Sequence, residues 1–438
     1  MKYQEFLRDL LIREVVPATG CTEVGAVALA TAWAVQALAS SVEQIEEIRI
    51  EVDDSTYKNA LGVGIPGTGE TGLDFAAAMG ASSANRVKQG LQLLENPETE
   101  AVEMARDLMA NKKVRIVRVP GSKEILILAR VRDSRSEASA VIRGSHDHVV
   151  GVQKNGQPYN GAPGPGEDYV SLAEQVKNIT YGDIFQFVKE VEVQGLPIVR
   201  QAMEMNVHFA QEAGKRLPSL RMGKVMERYA GQAPTGKDSP TKAQFLTAIA
   251  VEARMRGLDL PVMACAGSGN QGLVATIPVV ETAKVVGASD ESLLKALALS
   301  YLTTIYIKAF TGLLSPVCGC GVAAAVGAGC GMVFLQGGDI SQIEAQITNM
   351  VGTMAGIICD GAKSGCALKA LMAVGLAVDS AYLSLEDVRI PSTEGVVGDY
   401  VLDTLKNLQR IIETGMPTMD AAIIEVMEEK KPADKGRK

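Results

Sequence analysis

Histidine is scarce in this chain, with three among 438 residues, too few to favour a zinc hydrolase. Tryptophan occurs once and aromatic residues make up only 4%. Positive charge is also short: 43 Lys and Arg stand against 51 Asp and Glu, for a net charge of −8. No basic stripe interleaved with aromatics is visible, so a nucleic-acid partner is not expected. The nucleophile elbow G-x-S-x-G does not occur. The opening MKYQEFLRDLLIREVV carries charge throughout and reads as an amphipathic helix. It lacks the apolar run and small-residue cleavage site of a signal peptide. No internal repeat is apparent.

What the chain does have is apolar bulk and small residues. Apolar residues make up 47%, Gly numbers 44 and Ala is abundant, which favours closely packed helices. The length fits one large or two ordinary domains. Seven cysteines without an export signal point to a reducing cytoplasm. There they serve as ligands, nucleophiles or core residues rather than as disulfides. The very apolar stretch 296–335 contains Lys308, Pro316, several glycines and two close cysteines. It reads as two buried helices with a functional break, not as a membrane span.

The pattern predicts an α+β chain: an N-terminal mixed α/β domain over 1–178, an all-α domain over 179–429 and a disordered tail over 430–438. In the first part, 3–15 and 22–38 have helical periodicity, and 45–52 (IEEIRIEV) alternates like a half-buried strand. A glycine-rich loop follows, then helices over 73–79, 84–93 and 99–110. Strands are predicted over 114–119, 124–131, 138–143 and 148–153, and a loop over 155–168. From Tyr181 onward no strand is expected. Helices are predicted there over 184–192, 198–213, 242–256, 291–314, 322–334, 340–358, 367–378 and 399–414.

Cysteine carries the most specific chemistry. Cys21 lies in PATGCTEVG, where a helix begins: Gly20 frees the backbone, Thr22 can cap and Glu23 sits in the first turn. A helix N-terminus lowers a thiol's pKa, so Cys21 reads either as a reactive base or nucleophile, or as a small buried residue. Late in the chain stand Cys318 and Cys320 in SPVCGCG, then Cys359 and Cys366 in ICDGAKSGC. Their spacing fits neither a zinc ribbon nor a ferredoxin run. They are either ligands of a metal or cluster with an open position, or small core residues. Cys265 and Cys330 read as packing residues.

Three G-x-G-x-x-G matches start at Gly62, Gly67 and Gly267, but none has the strand and crossover setting of a dinucleotide site, and no Walker A lysine follows. GSGNQG (267–272) precedes an apolar helix starting near Leu273. Its N–H groups, with Ser268, Gly269, Asn270 and Gln271, can hold a carboxylate, or the segment is a tight turn. GIPGTGETG (64–72), with Thr68 and Gly69, is either a substrate-facing loop or a connection. His146 and His148 alternate on a predicted strand as a weak metal pair, and His208 reads as structural. Lys363 and Lys369 flank the late cysteines and can balance charge.

At these residues the sequence resembles the L-cysteine desulfidases and the bacterial proteins grouped with them, which are similar to the iron–sulfur L-serine dehydratases. The carriers are TGCTE (19–23), GIPGTGETG (64–72), ARMRG (253–257), PVMACAGSGNQG (261–272), CGCGVAAAVG (318–327) and ICDGAKSGCALK (358–369). The resemblance spans nearly the whole chain. It implies a 4Fe–4S cluster held by Cys359, Cys366 and Cys320, with Cys318 as the alternative to Cys320. It also implies that Cys21 is the catalytic base, beside a substrate site formed by Thr22, Glu23, the Thr68–Gly69 loop and GSGNQG. The dehydratases carry a Ser/His-rich segment near the N-terminus. This chain has TGCTE in its place, which favours cysteine over serine as substrate. The implied reaction is a β-elimination without pyridoxal phosphate, giving pyruvate, ammonia and hydrogen sulfide. Its alternatives are serine dehydration, a non-catalytic cluster- or amino-acid-binding role and a pyridoxal-dependent desulfhydrase. The expected partner is a small amino acid, with no nucleic acid and no membrane; the oligomeric state is open, a homo-oligomer included.

Overall fold

The computed structural model describes residues 3–430 apart from 123, 164–169, 171, 177, 217–224 and 226–238. The predicted tail, from 431 on, and residues 164–168 of the predicted loop lie outside the described residues.

The chain opens with helix α1 (Gln4–Glu14) and strand β1 (Val15–Thr19), then helix α2 (Thr22–Leu38) and strand β2 (Glu47–Asp53). Helices α3 (Asp54–Ala60), α4 (Leu73–Ser82) and α5 (Thr99–Ala110) follow. Strands β3 (Val114–Val119), β4 (Leu126–Arg132), β5 (Glu137–Arg143), β6 (Val149–Lys154) and β7 (Gln157–Pro158) complete a six-stranded sheet of order β3-β2-β4-β5-β6-β7. Only β2 and β3 run parallel. Alternation decides its faces: Ile48, Ile50 and Val52, Ile127, Ala129 and Val131, and Ala138, Ala140 and Ile142 all point into the core. Against them packs α2, buried at every residue but Gln36. Its run of alanines lets it sit close to both the sheet and α4. A helix apolar all round belongs in a core.

The later part is built from helices α6 (Leu172–Val176), α7 (Tyr181–Glu190), α8 (Pro197–Lys215) and α9 (Ser239–Met255), then α10 (Gly269–Val286) and α11 (Asp290–Thr311). A π-helical turn at Cys320–Ala324 leads into α12 (Ala325–Leu335), followed by α13 (Ile340–Met354), α14 (Cys366–Leu385), α15 (Val401–Gly415) and α16 (Met419–Glu428). Among the described residues, two helices, α11 and α14, have the length and apolarity of a membrane span. The apolar window of α11 is 83% buried inside the protein, and that of α14 50%.

The structure corrects the expectation of no strand after Tyr181. Pro261–Cys265 forms strand β8, paired antiparallel with β1 in the register Val15↔Cys265 to Thr19↔Pro261. Pro17 is tolerated because this ribbon has only two strands, so the missing N–H faces away from the pairing. The ribbon ties the first twenty residues to the helical part. Residues 84–93 are also not an α-helix: Ala84–Gln92 is a 3₁₀ segment interrupted at Gly90, with φ 58° and ψ −132°.

Candidate functional site

One cavity gathers residues from distant parts of the sequence: Cys21 and Glu23, Asn59, Arg254, the 267–271 turn, Lys308, and all four cysteines of the late motifs. Local backbone explains the convergence. Strand β1 ends at Thr19, and Cys21 is the N-cap residue of α2. Strand β8 ends at Cys265, and Ser268 caps α10, accepting from the Gln271 N–H at 3.5 Å. Helix α10 can start this close to its strand only because residue 272 is glycine; a Cβ there would lie 1.8 Å from the Met263 carbonyl oxygen. Cys320 opens the π-helical turn and Cys366 opens α14. Four helix starts thus line one cavity, each presenting the positive end of its dipole.

Cys21 donates its thiol hydrogen to Glu23 Oε2 at 2.6 Å. Glu23 Oε1 accepts from the Asn59 amide at 2.8 Å. Thr22 donates to the Gly267 carbonyl at 2.8 Å, joining the two helix starts. The expected lowering of the Cys21 pKa is reversed. Burial and the Glu23 carboxylate push the thiol well above its usual range, and Arg254 only partly offsets them. Burial acts upward on Glu23 too, but His146, the Cys21 thiol, its own N–H and Asn59 outweigh it and hold the carboxylate below its ordinary pKa. Arg254, 2% exposed, donates to Asn270 Oδ1 at 3.0 Å and to the Gly20 carbonyl. Among the described residues, Arg254 Nε, Gln271 Oε1 and His146 Nε2 are buried without a protein partner.

On the other wall the Cys318 N–H bonds the Ile357 carbonyl at 2.8 Å and the Cys359 N–H bonds the Pro316 carbonyl at 2.7 Å, so the two cysteine loops form one short bridge. Cys320 donates to Cys318, which draws the Cys318 thiol below its ordinary range against the effect of burial. That same bond, with burial, drives Cys320 far up. Burial pushes Cys366 up to about 12. Cations surround these sulfurs. Lys308 is 2% exposed, and burial lowers it to about 8 against the pull of Cys359, Cys318 and Cys320. Lys58 is fully buried and pairs with Asp420 at 2.6 Å. Lys369 pairs with Asp360 and donates to the Ile358 carbonyl at 3.0 Å. Among the described residues no three His, Cys, Asp or Glu side chains converge to chelate a single metal ion. An iron–sulfur cluster, whose thiolates bind different irons, does not ask for that convergence. Four thiols on one wall, ringed by lysines and helix starts, have the donor chemistry and charge for such an anionic centre.

The model of the serine dehydratase alpha chain family matches residues 75–425. This chain belongs to that family. It is also 38% identical over 424 residues to a UPF0597 protein of Oleidesulfovibrio alaskensis, covering 97% of this chain and 98% of that one. A UPF0597 protein of Clostridioides difficile is 37% identical over 430 residues, at 97% and 100% coverage. One from Caldanaerobacter subterraneus is 36% identical over 426 residues, at 97% and 98%. Membership points to a lyase of amino-acid catabolism.

Of the residues singled out by sequence, the cavity brings together Cys21, Glu23, Ser268, Asn270, Gln271, Cys318, Cys320, Cys359 and Cys366. Thr22 braces it from behind, and Gly269 lets the Arg254 guanidinium approach, since a Cβ there would meet its Nε at 2.6 Å. Thr68 and Gly69 do not line it. The Thr68 hydroxyl turns back to the Ile65 carbonyl at 3.0 Å, and Arg106 covers the Thr68 carbonyl at 3.3 Å. His146 and His148 form no pair: they sit in a turn before β6, with His146 buried beside Gly267 and His148 against the Arg143 carbonyl. Sequence reasoning missed Asn59, Arg254 and Lys308. Arg254 stood inside the ARMRG motif without a role, and a lysine in the apolar 296–335 run was itself a signal.

Proposed function

We propose that this protein is an iron–sulfur-dependent β-elimination lyase that converts L-cysteine to pyruvate, ammonia and hydrogen sulfide. The observation carrying this reading is the cavity with a hydrogen-bonded Cys21–Glu23 pair and the four late thiols all on its walls. Cys359, Cys366 and one of Cys320 and Cys318 would hold a 4Fe–4S cluster. Bound there, it would supply a Lewis-acidic iron for the substrate's leaving sulfur.

The chain's own residues do the rest. Arg254 and the start of α10 receive the substrate carboxylate, since a buried guanidinium beside free N–H groups favours an anion. Gln271, with an unpartnered oxygen, accepts from the substrate ammonium. Cys21 faces the α-carbon and removes its proton, with Glu23 and Asn59 fixing its orientation. The leucines at 313 and 314 line the cavity and keep the reacting atoms from bulk water. Released 2-aminoacrylate hydrolyses to pyruvate and ammonia.

A second reading, L-serine dehydration, is favoured by the family's name. Anaerobic reconstitution with iron and sulfide, then parallel sulfide and pyruvate assays on L-cysteine and L-serine, decides between them by kcat/KM. Full activity in iron-free protein would sink both. Reconstituting Cys318→Ser and Cys320→Ser separately and measuring bound iron tells which of the two is the ligand.

A further inference from the structure

Cys21 is held as a proton donor, yet the β-elimination reading asks it to accept a proton. The geometry resolves this through Glu23. Its Oε2 takes the thiol hydrogen at 2.6 Å, and its Oε1 is fixed by Asn59 at 2.8 Å. Thr22 Oγ1 lies 3.1 Å from Oε2 while donating to Gly267. The carboxylate is buried, lines the cavity, and forms no salt bridge with Lys or Arg among the described residues. Besides Cys21, the titratable groups facing the pair among the described residues are His146 from the turn before β6, Arg254 from α9, Lys308 across the cavity from α11, and the thiols of Cys318, Cys320, Cys359 and Cys366 on the opposite wall.

We propose that Cys21 and Glu23 act as one base, with Glu23 taking the thiol proton while Cys21 Sγ takes the substrate α-proton. This deepens the β-elimination reading and rests on it. The α C–H bond breaks and an S–H bond forms at Cys21. The former S–H bond breaks and an O–H bond forms on Glu23. The C–H electron pair becomes the Cα–Cβ double bond as the Cβ–S bond breaks and its pair leaves on sulfur. Glu23 then gives its proton to the departing hydrosulfide, which leaves as hydrogen sulfide. The carboxylate and the thiol are both restored, and no further reactant is consumed. Glu23 therefore takes its proton from Cys21 and delivers it to the leaving sulfur, and its charge, rather than its bulk, is what the reaction needs.

The test uses anaerobically reconstituted wild type, Glu23→Gln and Glu23→Asp. Glu23→Gln keeps the Asn59 contact through its amide oxygen but cannot hold a proton. It should lower kcat by about 10²–10³-fold, with KM within about threefold of wild type, and abolish the acidic limb of the kcat/KM pH profile. Glu23→Asp, which keeps the charge on a shorter arm, should retain that limb and recover part of kcat. A readout independent of turnover is iodoacetamide alkylation of Cys21 in iron-free protein at pH 8, followed by mass spectrometry of its peptide. Glu23→Gln should react faster than wild type, because the neighbouring negative charge is gone. Wild-type turnover with Glu23→Gln within twofold of it, or an unchanged pH profile and alkylation rate, overturns the coupled base while leaving the lyase reading standing. Wild type that eliminates from no amino acid overturns the lyase reading and the catalytic claim together.

Discussion

Removing Asp420 tests whether the last helix holds the site together. Lys58 is fully buried and its ammonium sits 2.6 Å from Asp420 on α16, which also accepts from Ser55 at 2.5 Å. Asp420→Ala leaves that ammonium in the interior without its counter-charge. Breaking a buried pair from one side costs about 3–5 kcal/mol, because the remaining ion has lost its solvent and its partner. The Asp420 side chain is 16% exposed, so water entering from that side relieves part of the penalty, and about 2–3 kcal/mol is the expected loss. Urea unfolding of iron-free protein, read by circular dichroism, measures it. The double variant Lys58→Met with Asp420→Leu supplies the control. With no buried charge left, it should regain most of the lost stability. The effect should also reach the late cysteines, because the Lys58 carbonyl packs against Gly361, between Cys359 and Cys366, and Asn59 bonds the Ala362 N–H at 3.0 Å. Iron bound per chain after reconstitution should therefore fall in Asp420→Ala. A single variant within about 0.5 kcal/mol of wild type, a change no larger than an ordinary surface substitution makes, would refute the reasoning.

Three further outcomes are expected. Gly361 has φ +93° and a Cβ there would lie 2.3 Å from the Lys58 carbonyl oxygen, so Gly361→Ala should cost at least about 2 kcal/mol in the same urea assay and reduce iron retention. Burial raises Glu14 to about 7, with Arg13 opposing and Asp147 adding, so its protonated form stabilises the fold below about pH 4.5 and that contribution is lost as pH rises through 7; relative to Glu14→Gln, wild type should lose up to about 3 kcal/mol between pH 5 and 7.5. Burial lowers Lys308 to about 8, so its charged form costs stability at pH 7; Lys308→Met should stabilise iron-free protein by up to about 3 kcal/mol yet bind iron less well, and destabilisation of the iron-free form would contradict this.

The elements that sequence periodicity made legible are those whose faces differ in polarity. Helix α5 falls at the predicted 99–110, and β2, β4 and β5 alternate as expected because one face is core. The β1–β8 ribbon was hidden for the opposite reason. VVPAT contains a proline and PVMAC is a five-residue apolar run, and neither has a period that separates strand from helix. Helix α3 has no counterpart among the predicted elements because its seven residues are too few to show a stripe. At the site, identities were legible and environments were not. A helix N-terminus argues locally for an acidic Cys21 thiol. Burial and a carboxylate two residues away, both set by tertiary packing, reverse the sign.

The same limit explains why no site role is legible in sequence for Arg254, Asn59 and Lys308, while one is for the cysteines. Cysteine clusters announce themselves in sequence, but a buried cation acquires meaning only from what the fold places around it. Arg254 is within reach of Gly20 and Asn270 because α10 packs back against α9, a relation no spacing encodes. Each of the four cavity-lining helix starts is preceded or followed by glycine, and sequence reading treats such glycines as turns taken one at a time. Assembled, these starts add partial positive charge to Arg254 and Lys308 on a cavity whose own carboxylate is Glu23, the neighbouring Lys58 and Lys369 being already paired with Asp420 and Asp360. Such an excess of positive character is stable in a low-dielectric interior only with anions to answer it. A thiolate-bound cluster on one wall and a substrate carboxylate on the other meet that requirement, whereas a structural site would need only the first.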